Sequence, residues 1–172
     1  GTPSIQGQGK YFIDAGHSTT IYNGEAVKIS SGYVVGGQGS AADIVGVLNG
    51  IFYNDASTLK PTFANFYKAT ITPANSEDTV AFVMDDPFQQ YVVSSDDART
   101  QAQFLATYDM NTSAGSDTTG KSSATLDTSV TDADGKQFRL IRSAEDPENE
   151  DITAAFFSGI VVSNLNSYNG HN

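Results

Sequence analysis

Between Ile21 and Tyr53 no apolar residues recur at helical spacing. The stretch consists of short bursts, Ile21-Tyr22, Ala26-Val27-Lys28-Ile29, Tyr33-Val34-Val35 and Ile44 to Tyr53, separated by Gly24, Gly32 and Gly36-Gly37-Gln38-Gly39-Ser40. β-branched and aromatic bursts between Gly and Asn turns read as meandering strands, because a helix needs a longer apolar period than any of them supplies. The stretch describes a β-scaffold with no chemical apparatus attached to it.

The same rhythm continues along the chain. Gly1 to Lys10 is polar and Gly-rich and reads as an N-terminal arm. Strands are expected at Tyr11-Phe12-Ile13, Phe66–Ile71, Thr79–Met84, Phe88–Val93, Ala124–Leu126, Phe138–Ile141 and Phe156–Leu165. Asn54–Pro61 reads as polar connection, Thr72–Asp78 as a turn, Asn111–Thr119 as a surface loop and Glu145–Asp151 as an acidic loop. Ser94 followed by Asp97 resembles a capping box and predicts a short helix over Asp97–Phe104. The expected fold is mainly β: an antiparallel barrel or sandwich of short strands with an extended N-terminal arm and long loops. The expected organisation is the arm at 1–10 and one β-rich domain over 11–172, with two β-subdomains joined near 94–120 as the alternative.

Charge and composition narrow the partners. The 172 residues carry a formal net charge of −11, with only 9 Lys plus Arg. Phosphate contacts need clustered cations, so nucleic acid is not expected as a partner. No apolar run approaches the length of a membrane span, so no membrane partner is expected either. With no Cys, thiolate nucleophiles, zinc–thiolate sites and disulfides are excluded.

One stretch promises chemistry. Gly115-Ser116-Asp117-Thr118-Thr119-Gly120-Lys121-Ser122 satisfies the P-loop formula G-x-x-x-x-G-K-[ST]. Phosphate binding there needs a buried strand before the first Gly and a helix starting at the Lys. The flanks are Asn111-Thr112-Ser113-Ala114 and Ser122 to Thr131, which are polar and poor in helix formers. Gly115, Gly120, Lys121 and Ser122 are therefore read as a coincidental match in a loop, and no cofactor is expected. Val80 to Asp85, an apolar strand ending in an acid, lies on the wrong side of the loop for a magnesium-holding partner.

The other candidates are weaker. Asp132-Ala133-Asp134-Gly135 lacks the later ligands of a calcium loop and reads as a hairpin turn. Asp85-Asp86 and Asp96-Asp97 read as turn and helix-start acids rather than catalytic pairs, and the acidic run 145–151 as solvated loop. His17 and His171 are the only histidines, and no G-x-S-x-G elbow accompanies them. The expectation is a protein that is not an enzyme and binds no metal.

Taken in order, several short pieces resemble one family, the head decoration (cement) proteins of tailed bacteriophages in their marine-phage form. They are Tyr11-Phe12-Ile13, Ile21-Tyr22-x-Gly24-Glu25-x-Val27, Val45-Gly46-Val47-x-x-Gly50-x-x-Tyr53 and Ala81-Phe82-Val83-Met84-Asp85-Asp86-Pro87-Phe88. Gly120-x-Ser122, the Leu126 strand, Pro147-x-Asn149 and Val161 to Tyr168 complete the series. The family carries Asp in place of Glu25, a His near Asn166 and an extra N-terminal segment. The resemblance implies a structural virion protein on the outer surface of an icosahedral capsid, assembled in the host cytoplasm, that stabilises the shell. Its implied partners are the major capsid protein and neighbouring copies of itself, with a trimer favoured and a dimer as the alternative. Tyr11, Phe12, Asn166 and Tyr168 are the expected capsid or neighbour contacts. A carbohydrate-binding β-domain of a phage tail or surface adhesin is the competing expectation, because 10 Phe and 8 Tyr could supply sugar platforms.

Overall fold

The computed structural model describes residues 7–39, 43–127 and 135–168. The fold is mainly β and antiparallel, as the sequence predicts, with two sheets among the described residues. The chain divides into two compact units that are interleaved in sequence. The first takes the chain up to Gly37, then Val45–Asp86 and Ala114–Ser123. The second takes Gln38–Ile44, Pro87–Ser113 and the chain from Ala124 onward.

The first unit is built on six strands: β1 (Gly9–Ile13), β2 (Ala26–Ser30), β3 (Tyr33–Gly36), β4 (Gly46–Asn54), β5 (Pro61–Ala64) and β6 (Thr79–Met84). Their order is β1-β6-β4-β2-β3, with β5 paired to the far half of β4. No ladder joins β1 to β3, so the barrel that the sequence allowed is not closed. β2 and β3 form a two-residue hairpin in which Ser30 pairs Tyr33. Both turn residues, Ser31 and Gly32, have positive φ (51° and 89°), the type I′ geometry whose twist matches the flanking strands.

β4 carries the decisive irregularity. Its register against β6 shifts between Leu48 and Gly50, so the strand holds an extra residue there. A bulge resets the alternation of side chains. Leu48 and Ile51, three residues apart, both reach the core, and Tyr53 packs against it, while Phe52 turns outward. The core is Ile13, Ile21, Val27, Val34, Val45, Leu48, Ile51, Tyr67, Ala81 and Val83. On β6 the inward residues are the smaller ones, Thr79, Ala81 and Val83, and the half-buried outward ones are Val80, Phe82 and Met84.

The second unit holds β7 (Gln90–Ser94), β8 (Thr107–Tyr108), β9 (Phe138–Ser143) and β10 (Ser158–Ser163), in the order β7-β10-β9-β8. Tyr108, Met110, Leu126, Phe138, Leu140, Phe157 and Val161 are buried there. Gln137, fully buried, accepts the Met110 N–H at 3.2 Å, and Lys136 pairs with Asp109 at 3.0 Å beside it.

Several expectations are corrected. Gly9 and Lys10, assigned to the arm, begin β1 and pair with Val83 and Phe82. Phe66–Ile71 is not a strand. Tyr67 makes one isolated bridge to Ile21, and its hydroxyl donates to the His17 carbonyl. The strand lies earlier, at Pro61–Ala64, where Pro61 occupies a first position that needs no N–H. The helix over Asp97–Phe104 reduces to one 3₁₀ turn at Gln101–Gln103, introduced by Thr100, whose N–H donates to Gln103 Oε1. Neighbouring segments capture its flanks, since the Arg99 N–H donates to the Ile152 carbonyl and the Leu105 N–H to Leu140. Ala124–Leu126 supplies only isolated bridges from Leu126 to Ser95 and Met110. Of the expected hairpin turn at Asp132-Ala133-Asp134-Gly135, only Gly135 is among the described residues.

Leu48 is fully buried at the bulge, so Leu48→Ala should cost about 2–5 kcal/mol. Urea denaturation of the two proteins at one pH measures the difference.

Candidate functional site

The segment Gly115–Ser122 belongs to the first unit and works as a strap across it. Gly120 N–H donates to the Ser116 carbonyl, Ser116 N–H to Lys121, and Ser122 N–H to Asn23. Thr119 and Lys121 N–H groups are held by Ser116 Oγ and Thr119 Oγ1. A phosphate cradle needs such N–H groups convergent and unengaged. Here five of them already have acceptors inside the protein. Side chains fix the strap from outside. Tyr22 donates its hydroxyl to Asp117 Oδ1 at 2.8 Å, Lys68 pairs with Asp117 at 3.1 Å, and Asn65 donates to the Thr119 carbonyl. The Tyr22 ring stacks on Phe66. Gly120 sits at φ +69°, and a Cβ there would run into Phe66 and Asn65. The glycine that completes the motif is required by the turn and by this close approach.

Three residues after Tyr22, Glu25 is buried with 7% of its surface exposed. Burial disfavours its charged form and raises its pKa to about 7, against the smaller opposing effect of the Tyr22 N–H that donates to Oε2 at 2.9 Å. Tyr22 thus holds Glu25 through its backbone and the strap through its ring and hydroxyl.

The outer face of the first sheet is a different kind of surface. The bulge places Phe52 beside Phe63 of β5, ring centroids 4.8 Å apart, and Phe63 stacks on Phe82 of β6 at 6.4 Å. Phe63 is 73% exposed and Phe12 45% exposed. Lys10 holds its ammonium over the Phe12 ring, 5.5 Å from the centroid. At one end of this face Phe12, Phe52, Tyr53, Asn54, Glu77, Asp78 and Val80 line an open cleft of about 320 Å³.

The four residues expected to make contacts separate clearly. Phe12 lies on this face and Tyr168 is exposed. Tyr11 is half-buried and donates its hydroxyl to Asp85 Oδ2 at 2.7 Å. Asn166 is buried, with its Oδ1 accepting the Tyr168 N–H, so its side chain is engaged within the second unit. Phe52, Phe63, Phe82, Asn54 and Glu77 were not singled out by the sequence. An isolated glycine in a strand pattern signals a bulge, and Gly50 was that signal.

The remaining candidates are structural in their geometry. His17 packs on Tyr67 with ring centroids 5.6 Å apart, and burial lowers its pKa. His171 lies outside the described residues. In the acidic run, Asp146 and Asp151 accept the N–H groups of Glu148 and Thr153 in Asx turns. Among the described residues no three His, Asp or Glu side chains gather as metal ligands do.

Comparison with protein-family models, with curated proteins and with solved structures finds no match.

Two outcomes are expected. Glu25 is protonated in the folded state and ionised in the unfolded state between pH about 4.5 and about 7. Stability should therefore fall as pH rises through that window and level off above it. Glu25→Gln should flatten the profile and be more stable than the parent at pH 8 by about 3 kcal/mol, measured by urea denaturation at pH 5 and pH 8. Millimolar Mg-ATP should leave the melting temperature unchanged. A stabilisation that Lys121→Ala abolishes would restore the nucleotide reading of the strap.

Proposed function

We propose that this chain is a structural virion protein that binds the outer surface of an icosahedral phage capsid and stabilises it. The observation that carries the reading is the ordered resemblance to phage head decoration proteins and where its pieces fall. Tyr11-Phe12-Ile13 lies in β1, Val45 to Tyr53 includes most of β4, Ala81 to Met84 lies in β6, and Val161 to Ser163 ends β10. Those four pieces therefore overlap strands of both units rather than one local motif, while Gly120-x-Ser122, Leu126 and Pro147-x-Asn149 lie outside the strands.

Physical features support the same role. Each unit exposes apolar side chains of its own, Phe12, Leu59 and Phe63 in the first and Phe88, Val92, Leu105 and Phe156 in the second. Exposed apolar contacts on both compact units let one copy engage two capsid subunits and gain avidity from modest individual interfaces. Leu59, Leu105 and Phe156 also sit at positive φ (55°, 66° and 64°), an unfavourable backbone for bulky residues. Strain at exposed apolar positions suits residues whose role is contact. A net charge of −11 keeps free copies apart before assembly. By analogy with the family, three copies gather at each site and the shell protein is the partner.

A carbohydrate-binding domain of a tail or surface adhesin is the second reading, favoured by the exposed rings of Phe12 and Phe63. Against it, Tyr67 is buried and Tyr22, Tyr53 and Tyr91 are half-buried.

Purified protein mixed with expanded, undecorated capsids should add stoichiometric density to the outer surface in electron micrographs. Bare shells after saturation would overturn the capsid reading.

A further inference from the structure

The geometry points to the cleft between Phe12 and Glu77 as a binding site for a guanidinium or ammonium group carried on a partner protein's arginine or lysine side chain. Its walls are the Phe12 and Phe52 rings, with Val80 and Tyr53, and its polar end is Asn54, Glu77 and Asp78. Aromatic faces attract cations through the ring quadrupole, and a carboxylate at the end of an apolar slot adds a direct charge partner. The volume of about 320 Å³ is at the small end for ligand sites and suits one long side chain.

The inventory of donors and acceptors decides the ligand's chemistry. Glu77 and Asp78 offer acceptors only. The Asn54 amide already donates to Glu77 Oε2 at 3.3 Å, and Asp78 is engaged by the Ala15 N–H at 3.2 Å and the Tyr33 hydroxyl. Among the described residues no cation pairs with either carboxylate. The side-chain acceptors of the cleft therefore outnumber its remaining donors, which are the Tyr53 hydroxyl and the second Asn54 N–H. A neutral sugar needs donors as well as acceptors from its site. A side chain that brings its own positive charge and N–H groups on an apolar stem complements what is there.

A partner with a basic side chain also fits the charge of the whole chain, whose −11 would steer it toward basic surfaces. The inference deepens the capsid reading, since the shell protein would then present the arginine or lysine, but the site can be tested without a capsid.

The experiment is a ¹H–¹⁵N NMR titration of the full chain with N-acetyl-arginine-methylamide, N-acetyl-lysine-methylamide, the uncharged glutamine analogue and a panel of neutral hexoses. The expected result is saturable shifts confined to amides around Phe12, Phe52, Asn54, Glu77 and Val80, with Kd in the millimolar range and stronger for the arginine probe. Glu77→Gln, a conservative change at an exposed position, should weaken arginine binding about three- to tenfold. Phe12→Ala should weaken it without altering the rest of the spectrum. Shifts scattered over the acidic surface, binding unchanged in Glu77→Gln, or hexoses acting where arginine does not would each overturn the site. A protein that takes the arginine probe and still leaves capsids bare keeps the site and loses the capsid reading. Decorated capsids with no response to the probe do the reverse.

Discussion

The outer face of the first sheet depends on one extra residue in β4. A strand has two faces and a period of two, so a single insertion exchanges the faces for everything beyond it. In β4 that exchange happens between Leu48 and Gly50, within a strand that pairs with β6 on one edge and with β2 and then β5 on the other. Because Ile51 and Tyr53 then serve the core, Phe52 is released to the outside, where Phe63 and Phe82 meet it. Without the bulge Ile51 would face water and Phe52 would enter a core already filled by Tyr67 and Leu48. The bulge thus settles both what fills the interior and which rings are offered to a partner.

What could be read in advance follows from which signals are local. The strands on either side of Gly32 were legible because their apolar bursts and the glycine between them lie within a few residues of each other. The β6 burst was legible as a strand but not for its faces, since Thr79 to Met84 is apolar at nearly every position. Only the structure shows that the smaller residues point inward. Helix and strand errors have one cause. Tyr67, Arg99 and Leu105 donate their backbone N–H groups to distant segments, at Ile21, Ile152 and Leu140, and no local pattern announces such partners. The site was the least legible part, because the carboxylate of Glu77 and the ring of Phe12 are far apart in sequence and meet only through the β1–β6 ladder.

The Gly115–Ser122 strap shows how a motif and a turn can share residues for unrelated reasons. Phosphate loops use glycine so that backbone N–H groups can converge on an anion. Here Gly120 has the same left-handed backbone, but the N–H groups close on Ser116, Lys121 and Asn23 instead. The charged residue that matters in the strap is Asp117, which receives Tyr22 and Lys68. Tyr22 in turn holds Glu25, so the strap and the buried carboxyl are linked through one residue.

The interleaving of the two units bears on how such a protein can be inherited and made. The chain leaves the first unit after Gly37, returns at Val45, leaves again after Asp86, and returns once more for Ala114–Ser123. Neither unit corresponds to a continuous stretch of gene, so neither can be shuffled into another protein by a single recombination event. During synthesis the first unit waits for its strap until most of the second unit's early residues have emerged from the ribosome. The pair is therefore a single heritable object, encoded and made as one continuous chain.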